Sequence, residues 1–306
     1  MRIVVMGAGG VGGYFGAKLA RASHEVTLVA RGAHLEAIRA HGLRVRSAIE
    51  GEFVARVEAV DDLRGRAPAE AVVLAVKGFD TEAALVQLRP VVGAGTPVLS
   101  LQNGVSSAET IDRLLGPGHA VGGAAYVFAF LEEPGVIGHR LLGRIALGEL
   151  HGGVSARVQA LHGALAAAGI PAEVSTAVRR VLWEKYLFIG AQGGMTALTR
   201  TSSGVLRQIP ECWSMYRALV EELDALGRAE GVDLPADAVD RIMKAAAGLA
   251  PEATSSMAND LEAGRRLELE SLHGYALRLA ERHRIPTPAT SAVYAALKPH
   301  LAGRRG

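Results

Sequence analysis

MRIVVMGAGGVGGYFGAKLARASHEVTLVAR, residues 1–31, is the stretch that decides the fold. Arg2–Met6 is a short valine-rich apolar run, and Met6-Gly7-Ala8-Gly9-Gly10-Val11-Gly12 follows it directly. Gly7, Gly9 and Gly12 form the pattern G-x-G-x-x-G, and Val11–Arg21 then carries helical spacing. A strand, a glycine turn and a helix in that order are the setting in which the pattern marks a dinucleotide loop. Gly7 permits the tight turn, Gly9 lets backbone approach a pyrophosphate, and Gly12 permits close helix–strand packing. The helix N-terminus, with Gly10 and Val11 in its opening turn, offers free N–H groups and partial positive charge to an anion. The alternative is a glycine-rich turn without a ligand.

The second strand, Glu25–Ala30, refines the cofactor. Enzymes that use NAD place an acid at its end, on the ribose 2′-hydroxyl. Here Arg31 stands there, followed by Gly32. A guanidinium suits a dianionic 2′-phosphate, so NADP(H) is expected. A solvated strand-end charge is the competing reading of Arg31.

Outward from this stretch the alternation continues. His34–His41 is helical, Ala71–Val76 is a fully apolar strand, Thr81–Leu88 a helix and Pro97–Leu101 a strand. Ala120–Phe130 and Arg144–Gly148 read as strands around EEPGVIGH. Near-continuous apolar strands separated by helices indicate a parallel sheet covered on both faces. Beyond about Thr176 the spacing is helical almost throughout: Val178–Leu198, Pro210–Glu230, Ala236–Leu249, Ser255–Ala263, Leu267–Arg284 and Ala289–Leu297. The expectation is an α/β Rossmann-like doubly wound domain over 1–175 and an all-α domain over 176–306.

The chain has 306 residues and a formal charge of +2, with both signs interspersed, which excludes the clustered basic footprint of a nucleic-acid binder. No stretch reaches the ~18 apolar residues of a membrane span, and the N-terminus lacks a signal-peptide layout. A cytoplasmic protein is expected. The one cysteine, Cys212, reads as a small buried hydrophobe, and no metal site is expected.

Ligands of such a sheet lie beyond the carboxyl ends of its strands. AVVLAVK ends at Lys77, which can reach a phosphate or a substrate carboxylate, or can simply be a solvated charge. PVLSLQNG ends at Asn103, whose amide can cap the next helix or donate into the site. In the helical half, WEKYLFIGAQGGMTALTR (183–200) sets Lys185 among residues that want burial. A partly desolvated ammonium can stabilise and protonate a developing alkoxide, although snorkelling from a helix flank describes most lysines.

With these pieces in place the chain resembles the ketopantoate reductase (2-dehydropantoate 2-reductase) family. The pieces are the glycine loop, AVK, LQNGV, PGVIGH, WEKYLF, TSSMANDLEAGRRLELE (254–270 without its flanks) and IPTP. The resemblance implies a C-terminal half like that of 6-phosphogluconate dehydrogenase and a place in pantothenate biosynthesis. It implies that Lys185 is the general acid, that Glu268 positions it, and that Ser256 binds the substrate carboxylate. Asn103 would lie beside nicotinamide and substrate, and Gly7, Gly9, Gly10, Val11, Gly12, Arg31 and Lys77 would hold NADP(H).

Three positions depart from the family pattern. Ile189 and Gly193 stand where asparagines are common, and His273 stands where an asparagine often precedes glycine. On a helix the Lys185 face continues through Ile189, Gln192, Gly193 and Thr196, so Gln192 and Thr196 are expected to replace part of the lost polarity toward substrate. Close approach to cofactor or substrate is the expected use of the nearby glycines. The expected activity is NADPH-dependent reduction of a 2-oxo acid, ketopantoate first, with substrate between the two domains. Reduction of a different 2-oxo acid on this scaffold and a non-catalytic NADPH-binding regulator are the rival readings. Apolar C-terminal helices could also support a homodimer.

Overall fold

The computed structural model describes residues 1–303. Among the described residues ten strands form one sheet: β1 Arg2–Met6, β2 Glu25–Val29, β3 Leu43–Ser47, β4 Gly51–Ala55, β5 Glu58–Val60, β6 Ala71–Leu74, β7 Val98–Ser100, β8 Ala120–Glu133, β9 Val136–Gly148 and β10 Ala172–Val174. Its centre runs β5-β2-β1-β6-β7-β8 with every neighbouring pair parallel. This is the doubly wound strand order of dinucleotide-binding folds. The far side departs from the parallel expectation: β8 and β9 form a long antiparallel hairpin, and β9 then pairs with β3 and β10. The hairpin turn is only Pro134–Gly135, and the VIGH that reads as turn in sequence belongs to β9.

The two-residue period of β1 explains why the sheet is covered twice. Ile3 and Val5 enter one apolar core, whereas Val4 and Met6 enter the other. On the first face pack α1 (Gly10–Arg21) through Tyr14, Phe15, Ala17 and Leu19, α2 (Gly32–His41), and later α5 (Ala156–Ala167). On the second face lie α3 (Thr81–Leu88) with Leu85 and Leu88, and α4 (Ser107–Leu115) with Ile111. Each such fully buried aliphatic side chain stabilises the fold by about 1.5–3 kcal/mol.

The helical unit contains α6 Val178–Thr199, α7 Ser203–Gln208, α8 Pro210–Ala229, α9 Ala238–Ala247, α10 Ser256–Glu262, α11 Tyr275–His283 and α12 Pro288–Leu297. Trp183, Tyr186, Leu187, Ala191, Met195 and Ala197 are all core residues, so α6 buries several faces and forms the spine of this unit. The expected helix over Leu267–Arg284 is instead a π turn, Glu270–Gly274, leading into α11. Cys212 is half-buried against this core rather than enclosed.

By contacts the chain divides between Val178 and Arg179, three residues beyond the expected boundary, and Asn103–Ser106 groups with the helical unit. Val105 packs against the helical core. Among the described residues no helix is long and apolar enough to cross a membrane. The helical unit exposes Val205 and Ile209 as large apolar side chains, while Phe128, Leu131, Leu141 and Leu142 are exposed on the β8–β9 hairpin.

Candidate active site

In the sheet unit, the glycine loop joins β1 to α1. Gly7 adopts φ +101°, and a Cβ there would lie 2.8 Å from Val76 Cγ1 and 2.9 Å from Val76 N. A Cβ on Gly12 would meet the Gly7 carbonyl oxygen at 2.0 Å, and one on Gly10 the Ala129 oxygen at 2.2 Å. Gly9 is different: it is exposed, with no atom within 4 Å of an added Cβ. Three glycines therefore let the loop close on its neighbours, while Gly9 leaves the approach from solvent free. Gly9 caps α1 without any side-chain hydrogen bond, so no side chain competes for the first-turn N–H groups near Val11. This arrangement fits a pyrophosphate.

His34 supports the loop from beneath, a role its sequence position did not announce. Its Nε2–H donates to the Ala8 carbonyl at 2.8 Å, and its Nδ1 accepts from Gly135 N at 2.9 Å. Burial lowers its pKa, consistent with a neutral ring holding both bonds. Arg31, 81 % exposed, extends from the end of β2 and pairs with Asp80 at 3.1 Å. Lys77 is exposed and precedes the short 3-10 turn Gly78–Asp80. Gln102 braces the strand ends here, donating from Nε2 to Val76 O at 3.0 Å and Thr81 Oγ1 at 2.7 Å.

In the helical unit, Lys185 is partly covered on α6, and burial of its ammonium pushes its pKa down to about 8. The negative charge of Glu268 pulls in the opposite direction and keeps the value from falling further. Glu268 is 7 % exposed, on the segment just before the π turn. Its carbonyl accepts from Ser271 Oγ at 3.0 Å and from Leu272 N at 3.2 Å, which fixes the backbone beneath the carboxylate. Asn103 is half-buried in the loop that joins this unit. A Cβ on the adjacent Gly104 would lie 3.1 Å from Ser271 O, so the loop passes against the π turn. Asn103 is too early to cap α4, which starts at Ser107.

Ser255 is the N-cap of α10, its hydroxyl accepting from Ala258 N at 3.0 Å, which leaves Ser256 exposed at the first helical position. Thr196 and Gln192 do not face an open pocket. Thr196 is fully buried, its hydroxyl 2.6 Å from the Gln192 carbonyl and 2.7 Å from Ser255 Oγ. Gln192 is buried and donates to Ser203 Oγ at 2.8 Å and to Thr254 O at 3.4 Å. Both side chains brace the segment that presents Ser256. Helical periodicity puts them on the Lys185 face, but α6 is surrounded and that face is enclosed at both positions.

The glycines after Lys185 also serve packing. A Cβ on Gly190 would meet Leu223 Cδ1 at 2.7 Å, and one on Gly194 the His273 Nε2 at 2.6 Å. A Cβ on Gly193 would make ordinary contact with Met257, whose Cβ would lie at 3.9 Å.

The family model for ketopantoate reductase PanE/ApbA matches residues 3–152, and the model for its C-terminal part matches residues 177–300. The chain belongs to the ketopantoate reductase family. Its relatives include a 2-dehydropantoate 2-reductase of Mesorhizobium japonicum, 34% identical over 100% of this chain and 99% of the relative. Another, from Halobacterium salinarum, is 33% identical over 94% of this chain and 95% of its own. Among solved structures, a PanE/ApbA family ketopantoate reductase from Ralstonia eutropha superposes with a TM-score of 0.89 at 35% identity, covering 98% of each chain. As a ketopantoate reductase family member, the chain is an oxidoreductase of the type that acts on CH–OH groups. The expected two-part architecture, sheet first and helices second, is the family's own.

Proposed function

We propose that this family member reduces the ketone of a 2-oxo acid, ketopantoate foremost, with NADPH as reductant. The observation that carries the proposal is Lys185: a lysine brought to a pKa of about 8 by burial, beside a buried glutamate. When bound, the reduced nicotinamide supplies hydride to the ketone carbon. Gly9 and the α1 N-terminus hold the pyrophosphate, and Arg31 exchanges its Asp80 partner for the 2′-phosphate. Lys77 lies at the neighbouring strand end, where it contacts phosphate or substrate. Lys185 gives its proton to the alkoxide oxygen, Glu268 orients the ammonium, and Ser256 and Asn103 hold carboxylate and carbonyl. Bracing of the α10 N-terminus is the part we assign to Gln192 and Thr196.

The test is NADPH oxidation, followed by absorbance, with a panel of 2-oxo acids that includes ketopantoate. No oxidation with any of them points to the regulatory reading. The pH dependence has a defined sign, because a general acid works only while protonated. Turnover in the reductive direction is expected to fall as pH rises through about 8. A flat profile from pH 7 to pH 9 would exclude Lys185 as the proton donor.

Arg31→Ala should weaken NADPH roughly tenfold or more, the size of a charge-assisted hydrogen bond, and leave NADH binding unchanged. Equal loss for both cofactors would refute the 2′-phosphate assignment. A second reading, a 2-oxo acid with a more apolar tail, is favoured by half-buried Ile189, an apolar side chain one turn beyond Lys185. The acid panel separates it from ketopantoate reduction.

A further inference from the structure

We infer that His273 and Tyr186 form a two-bond clamp between α6 and the π turn, and that this clamp sets the position of Lys185 relative to Glu268. The inference rests on the proton-transfer reading of Lys185 given above.

Lys185 and Glu268 lie on separate elements, so their spacing is decided by whatever joins those elements. Tyr186, next to Lys185 on α6, donates from its buried hydroxyl to the Leu272 carbonyl at 2.7 Å. His273 answers in the other direction, its Nε2–H donating to the Gly190 carbonyl at 3.1 Å. Between them, Leu272 N donates to the carbonyl of Glu268 itself. Tyr186 thus reaches the Glu268 backbone through one residue, and both bonds join α6 to the π turn just beyond the pair in sequence.

The chain is shaped to admit it. Glu270–Gly274 is wound as a π turn, with Gly274 N bonding Leu269 O, five residues back. Such turns are rare and lie frequently at functional sites. Gly194 is bare where a Cβ would come within 2.6 Å of His273 Nε2, so the imidazole can lie directly on α6. The ring is 2 % exposed, and its Nδ1 has no hydrogen-bond partner among the described residues. A carbonyl partner requires the proton on Nε2, which leaves Nδ1 as a bare acceptor. Burial pushes the His273 pKa down to about 4, so the ring stays neutral and the donor stays in place across the working range. An orphaned buried acceptor costs free energy, and a wholly apolar side chain would avoid it. The imidazole's use is therefore the Nε2 bond.

Two variants probe the clamp and a third keeps its donor. In His273→Leu the Gly190 bond is lost, in Tyr186→Phe the Leu272 bond is lost, and in His273→Gln an amide N–H stands near the Nε2 position. With ketopantoate and NADPH as the probe, His273→Leu and Tyr186→Phe are expected to lower kcat by about 10- to 100-fold, the size of effect that a misplacement near 1 Å produces. KM for NADPH should not change, and His273→Gln should recover most of kcat. Should His273→Leu not fold, Tyr186→Phe and His273→Gln decide the matter. Wild-type kcat in Tyr186→Phe, or a His273→Gln enzyme as slow as one lacking the bond, overturns the clamp. Lys185→Ala is assayed alongside: full turnover there overturns the proton-donor reading and the clamp together. Loss of turnover there with unaltered clamp variants overturns the clamp alone.

Discussion

Lys185→Ala is expected to lower turnover by roughly 10²–10⁴-fold, the usual contribution of a positioned general acid, with NADPH binding unchanged. The amine's burial is what makes the loss large. An ordinary lysine at 10.5 donates reluctantly near neutral pH, whereas one at about 8 is both charged and ready to release its proton. The same burial has a consequence for stability that runs the other way. A pKa lower in the folded chain than in the unfolded one means that the unfolded chain binds more protons between pH 8 and 10.5. Folding stability from this group therefore rises with pH across that window, and below it the charged amine costs about 3 kcal/mol relative to an unburied lysine. Lys185→Met, which keeps the apolar stem, should abolish turnover, and combined with Glu268→Gln, so that no buried carboxylate is left without its cation, it should melt higher than Glu268→Gln alone. A double variant that melts lower than Glu268→Gln alone would show that the buried amine does not cost the fold stability.

Gly12→Ala is expected to disable the nucleotide unit. The new methyl would stand 2.0 Å from the Gly7 carbonyl oxygen, with Ala75 Cβ at 3.0 Å. These are backbone and a single methyl, and none of them can swing aside as a long side chain would. The loop and the first turn of α1 must separate, at a cost of about 3 kcal/mol or more, the upper end of overpacking effects. That corresponds to a melting point lower by roughly 2–4 °C per kcal/mol in a unit of this size. Gly9→Ala is the informative partner, because nothing lies within 4 Å of its added Cβ. It should melt like the wild type yet lose the thermal shift that NADPH produces. If Gly9→Ala binds NADPH normally, the pyrophosphate does not lie on this loop.

Much of the sheet unit was legible in the sequence because its signals are local. The apolar runs at β1, β2, β6 and β7 and the glycine pattern each speak for themselves within a few residues. Strands β3 and β4 were not, since LRVRS and GEFVA carry charges on one side and pair with each other at the sheet's margin. A half-exposed strand pair has too little apolar content to stand out. In the helical unit the longer helices were visible from their spacing, whereas α7, with only six residues, was too short to show a period, and the π turn at 270–274 was hidden because its residues fit ordinary helical periodicity equally well.

The sequence by itself determined the doubly wound unit, the glycine turn between β1 and α1 and the family, since these depend on short patterns and their order along the chain. It also singled out Lys185 by its apolar neighbours, and Glu268 by the family resemblance alone. Only the tertiary structure decided that burial brings the lysine to about 8 under the opposing charge of Glu268. Only it showed that Gln192 and Thr196 are enclosed on a helix buried on several faces, and that Gly194 is bare because His273 lies on it. The reason is physical: desolvation and hydrogen-bond partners are set by residues far away in sequence, as with His273 and Gly190, 83 positions apart. Local periodicity can aim a side chain at a helix face, but packing decides whether that face meets substrate or core.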